Sequence, residues 1–88
     1  MRVKLRLSPT LTVILKTKYV DFELPEGALL QDLIDYLNKK FNGSVRGEIY
    51  DANGRLIVSF LNNGCYITPY ERLKDGDNIT MLSPLSGG

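Results

Sequence analysis

The stretch LPEGALLQDLIDYLNKKFNG, Leu24 to Gly43, decides the fold. Leu30, Leu33, Ile34, Leu37 and Phe41 stand at i, i+3, i+4, i+7 and i+11, one apolar stripe of an amphipathic helix. Asp32 lies near its start and Lys39 and Lys40 near its end, as the helix dipole favours. Asn42-Gly43 supplies a C-terminal stop. The spacing predicts a helix over about 28–41.

On both sides of this segment the apolar period changes to two. In RVKLRL, Arg2 to Leu7, Val3, Leu5 and Leu7 share one face and Arg2, Lys4 and Arg6 the other. KYVDFEL, Lys18 to Leu24, alternates in the same way, with Val20, Phe22 and Leu24 opposite Tyr19, Asp21 and Glu23. If these strands pair, the acidic residues come near Arg2, Lys4 and Arg6, and each pair contributes about 0.2–1 kcal/mol. Pro9 interrupts the first strand. Residues 10–16, TLTVILK, are β-branched and apolar, and read as a strand extension or a packed loop.

Downstream, SVRGEIY carries no clear period, and Asn53-Gly54 marks a turn. RLIVSFLNN, Arg55 to Asn63, reads as a strand that is apolar on both faces, so both are expected to be covered. Asn63-Gly64 is a second turn, CYIT a short strand, LKDGD (Leu73 to Asp77) a polar turn and NITMLS (Asn78 to Ser83) a last strand. Two strands, one main helix and further strands predict an α+β domain. It has a mixed sheet of four to five strands with the helix across one face. The expected division is a domain over 1–83 and a flexible C-terminal tail over 84–88. Pro84 cannot continue a ladder, and Gly87 and Gly88 have no side chains to anchor them.

With 88 residues and 43% hydrophobic content, one modest core is expected. The net charge of +1 gives no electrostatic case for nucleic acid. No apolar stretch is long enough for a bilayer, and MRVKLRL is followed by Ser8-Pro9 rather than a signal-peptide core, so a cytoplasmic protein is expected. A single cysteine, Cys65, excludes an internal disulfide. The absence of histidine excludes histidine bases and histidine metal ligands, and no metal site is expected. Neither GxxxxGK[ST] nor GxGxxG occurs. The chain is poorly equipped to be an enzyme alone.

The combination of RVKLRL, PEGALLQDLIDYL, SFLNNG and LKDGDNITMLSPLSGG resembles the β-grasp, ubiquitin-like sulfur carriers of the MoaD/ThiS group, which include the small subunit of molybdopterin synthase. The resemblance covers nearly the whole chain. Its most specific part is the Leu-x-Asp-Gly-Asp turn at 73–77, one strand, then Pro-x-Ser-Gly-Gly. Ser83 stands where the molybdopterin-type tail usually has the first of two prolines, and residues 8–17 lack a glycine often found before the second strand.

The resemblance implies a chemistry for the terminal glycines. On composition alone a final Gly-Gly arises by chance in about one sequence in 200, which leaves an incidental tail open. In the family, a ubiquitin-activating-like partner enzyme uses ATP and Mg to convert the terminal carboxylate to an acyl-adenylate. A sulfur nucleophile from a persulfide donor then displaces AMP and leaves a thiocarboxylate. The carrier binds no cofactor of its own. By this resemblance Gly88 carries the reacting carbonyl, and Gly87 lets the backbone pass a narrow channel. The sulfur would go to a pterin precursor in the larger catalytic subunit of molybdopterin synthase, for a molybdenum or tungsten cofactor. The alternatives are a carrier for thiamine or tRNA thiolation, and a protein modifier joined to lysines through Gly88. A third is an interaction module with an inert tail.

The candidate partner-binding residues are Phe60, Met81, Pro84, Leu85 and Ser86. Phe60 and Met81 make either a docking patch or a surface covered by residues 44–52. Leu85, without an obvious core to join, is expected to meet the partner. Cys65 is expected to pack as a small hydrophobe, and Arg2, Lys4 and Arg6 to form a solvated strand face.

Overall fold

The alternating segments become strands and the stripe becomes a helix, in a computed structural model that describes residues 1–83. The elements are β1 (Arg2–Arg6), α1 (Pro9–Leu15), β2 (Tyr19–Glu23), α2 (Leu30–Lys40), α3 (Arg46–Ile49), β3 (Ser59–Asn62), β4 (Cys65–Ile67) and β5 (Asn78–Leu82). They form one mixed sheet in the order β2-β1-β5-β3-β4. β5 lies parallel to β1, with Leu5 opposite Ile79, and every other pairing is antiparallel. The last strand is therefore central and beside the first.

α2 buries Leu30, Leu33, Ile34 and Leu37, while Phe41, just past its end, packs partly against the same core. Leu29 precedes the helix without a side-chain acceptor. The Asp32 carboxylate instead accepts the Leu29 N–H at 2.8 Å and satisfies one otherwise orphaned donor. At the other end Asn42 and Gly43 both take positive φ, and the Gly43 N–H donates to the Asn38 carbonyl at 2.7 Å. The connection from β4 to β5 clamps the start of α2: the N–H groups of Leu30 and Gln31 donate to the carbonyls of Glu71 and Pro69.

Three expectations need correction. Residues 10–16 are neither strand nor loop but most of α1. Ser8 caps it, its Oγ accepting the Leu11 N–H at 3.3 Å; Pro9 stands in the first turn and Leu11 is fully buried. A serine cap with a proline just inside outweighs the β-branched content of TLTVIL. Lys16 closes the helix in the left-handed conformation, the role a glycine would fill. The second correction concerns residues 55–58, which stand outside the sheet. Leu56 pairs only with Tyr50, closing a small loop over the Asn53-Gly54 turn. Asp51 builds that turn, its Oδ1 accepting from the N–H groups of Asn53 and Arg55. Leu56, Ile57 and Leu61 are half-buried, so coverage of both faces is incomplete. Third, Cys65 is exposed on the edge strand β4 rather than packed.

Candidate functional site

The site is organised by β5, because the chain continues from it to the glycines. The LKDGD turn launches this strand in a fixed register. Gly76 takes φ +84° and donates its N–H to the Arg2 carbonyl at 2.8 Å. A side chain there would be strained by the backbone conformation alone. The Asp75 carboxylate accepts the Arg2 N–H at 2.7 Å, and the Lys4 N–H donates to the Asp77 carbonyl at 3.0 Å. Asp77 is buried, and its Oδ2 accepts from the Lys74 N–H at 2.7 Å and from Asn62 Nδ2 at 3.0 Å. One carboxylate thus closes its own turn and ties it to the end of β3.

The ladder register decides which side chains each face presents. Phe60 lies opposite Met81, and both turn into the core with 1% exposure each. Of the two readings the covered one holds: they join the cluster that includes Val45 and Ile49 from the segment after α2, and their expected role as partner-binding residues is corrected by this packing. Their neighbours take the outer face. Leu61 stands opposite Thr80 and Tyr66, and Ser59 opposite Leu82. Leu61, Thr80 and Leu82 are half-buried there and Tyr66 is 74% exposed. Further along the same face, Arg2 meets Glu23 in an ion pair of 2.9 Å, and Lys4 Nζ lies 5.4 Å from the Tyr19 ring centre. The open face is thus charged over β1 and β2 and partly apolar over β5, β3 and β4.

This apolar half was missed in the sequence. Its signal was available in the alternation of ITML, where Ile79 and Met81 point in and Thr80 and Leu82 point out. The remaining candidates Pro84, Leu85, Ser86, Gly87 and Gly88 lie outside the described residues. Among the described residues no cluster of Cys, Asp or Glu is placed to hold a metal ion. None of their helices is long and apolar enough to cross a membrane.

A five-stranded mixed sheet with a main helix across one face, ending on a central strand parallel to the first, defines a ubiquitin-like β-grasp protein. The chain belongs to the ThiS family, whose model matches residues 13–88. A solved structure with similar sequence and fold is that of a putative molybdopterin converting factor, subunit 1, from Pyrococcus furiosus. It is 31% identical over 96% of this chain and 98% of that one, with a TM-score of 0.77. Small archaeal modifier protein 1 (SAMP1) from Methanosarcina acetivorans is 25% identical over 99% and 96% of the two chains, with a TM-score of 0.76. SAMP1 from Haloferax volcanii matches over the whole of both chains at a TM-score of 0.86 and 21% identity, a likeness of fold. No curated protein sequence matches the chain. The protein is thus a ThiS/MoaD-like small ubiquitin-like protein, of the type that serves as a sulfur carrier or small modifier.

Proposed function

We propose that the protein is a sulfur carrier of the molybdopterin-synthase small-subunit type, activated at Gly88. The observation that carries this reading is the family match, which runs through Gly87 and Gly88 to residue 88. The 31% identity to a putative molybdopterin converting factor subunit supports the branch. In the proposed cycle the Gly88 carboxylate attacks the α-phosphate of Mg-ATP in an adenylating partner, and pyrophosphate leaves. The terminal sulfur of a partner persulfide attacks the acyl carbon and displaces AMP, and a thiol then cleaves the resulting S–S bond to release the thiocarboxylate. The larger catalytic subunit would receive the sulfur on a pterin precursor. The carrier supplies a rigid strand and a presented carboxylate, and the acid, base and metal are the partner's.

The partly apolar half of the open sheet face is the proposed docking surface, through Leu61, Tyr66 and Leu82. Pro84, Leu85 and Ser86 are proposed to follow it into the partner. A second reading, a modifier joined to lysines through Gly88, draws on the similarity to small archaeal modifier proteins. Both readings share the activation step. The test is the intact mass of protein isolated from its own cells. Replacement of one oxygen by sulfur supports the carrier. Covalent conjugates in cell extract without that replacement support the modifier.

A further inference from the structure

The two ends of the sheet differ in charge. β1 and β5 run parallel and β2 runs against them, so Arg6, Lys18 and the end of β5 meet at one end. Glu23, Asp75 and Asp77 lie at the other, where Arg2 and Lys74 stand among them and balance their charge. At the basic end α1 stands over the last residues of β5 and leaves a groove of about 570 Å³. Leu82 and Val13 give it apolar side chains that water reaches, over the buried Leu7 and Met81, and Arg6 and Lys18 line it as well; among the described residues no acidic side chain lines it. Both cations are exposed, and neither makes an ion pair with another described residue. Val13 is 76% exposed, with the half-exposed Ile14 beside it.

We propose that this groove binds a partner-protein segment in which apolar side chains are flanked by carboxylates. The floor removes an apolar side chain from water, and the rim sets charges of one sign beside it. Arg6 can take a carboxylate in a two-bonded fork and Lys18 as a point charge. Charge complementarity therefore fixes the chemistry of the occupant: apolar at its centre, acidic at its borders. Nucleic acid fits less well, because the floor is apolar and only two cations line the groove. A segment held here lies against Ser83, where the chain continues toward Gly88. The groove shares Leu82 with the Leu61 and Tyr66 face but extends away from it to Leu7, Val13 and Lys18, and the inference requires neither sulfur nor activation at Gly88.

The test is an NMR titration of the full ¹⁵N-labelled chain with an amidated peptide in which two leucines are flanked by aspartates. A second peptide has lysines in place of the aspartates. The acidic peptide should shift the amides of Leu7, Val13 and Lys18, and bind more weakly as salt rises. The lysine peptide should leave them in place. In the protein carrying Arg6→Glu and Lys18→Glu, affinity should fall at least tenfold with an unchanged melting temperature, since both side chains are exposed. Val13→Asp should weaken binding from the helix side. Unmoved groove amides at millimolar peptide, shifts on the Leu61 and Tyr66 face instead, or equal binding by both peptides would each overturn the proposal.

Discussion

Phe60 and Met81 stand directly opposite each other on β3 and β5, and both point into the core at 1% exposure. A one-residue shift along either strand reaches the opposite face, where Leu61 and Leu82 are half-exposed. This pairing separates residues that hold the fold from residues available to a partner.

Met81→Ala should therefore cost about 2–5 kcal/mol, and Met81→Asp should prevent stable folding. Urea denaturation checks both. A Met81→Asp protein with the parent's midpoint would contradict the core assignment.

On the other face, Leu61→Asp and Tyr66→Glu should weaken binding to the adenylating partner while leaving the melting temperature near the parent's. Apolar anchors at an interface centre can each be worth about 2 kcal/mol or more. Calorimetric titration of the purified pair, read beside thermal melting, measures both effects. Full affinity in both variants would move the docking surface elsewhere.

Asp77 is a structural carboxylate whose loss should be felt in β5. Asp77→Ala removes the acceptor for the Lys74 N–H and for Asn62 Nδ2, at a cost of about 1–3 kcal/mol. Hydrogen exchange should quicken at Lys74 and along β5. Unchanged protection there would show that the turn holds itself without this side chain.

Cys65 should be dispensable for sulfur transfer. It pairs with Asn62, which pairs with Ile79, so it lies in a row four residues below Ser83, about 13 Å down the strand. Cys65→Ser should form thiocarboxylate as the parent does, measured by intact mass after reaction with the activating enzyme, ATP and a sulfur donor. Loss of product in the folded variant would assign the thiol a chemical role.

Legibility in the sequence followed the length of the local signal. α2 was readable because its apolar stripe repeats over three turns, and β1 and β2 because charge alternates with Val, Leu and Phe. The Asn63-Gly64 turn was readable because both residues take positive φ, which that pair tolerates. α1 was not, since Thr, Val and Ile favour strands, and only Ser8-Pro9 marks it as a helix. α3 is a single turn, too short for a period, and its Val45 and Ile49 gain meaning only from the core they join. The site was half legible. SFLNN and ITML announce apolar residues on both faces, but only the pairing of Phe60 with Met81 says which of them water reaches.

The central claim is that the Gly88 carboxylate is the reacting group. Every core residue among those described lies at or before Met81, so removing Gly88 is expected to leave the melting temperature near the parent's. The measurement is ATP-dependent adenylate formation with the purified activating enzyme, for the parent, the Gly88 deletion, and a chain with one residue added after Gly88. Thermal melting of each accompanies it. The account predicts that adenylate forms only with the parent, and that all three melt alike. A Gly88 deletion that is adenylated as well as the parent would contradict it, and with it both the carrier and the modifier readings.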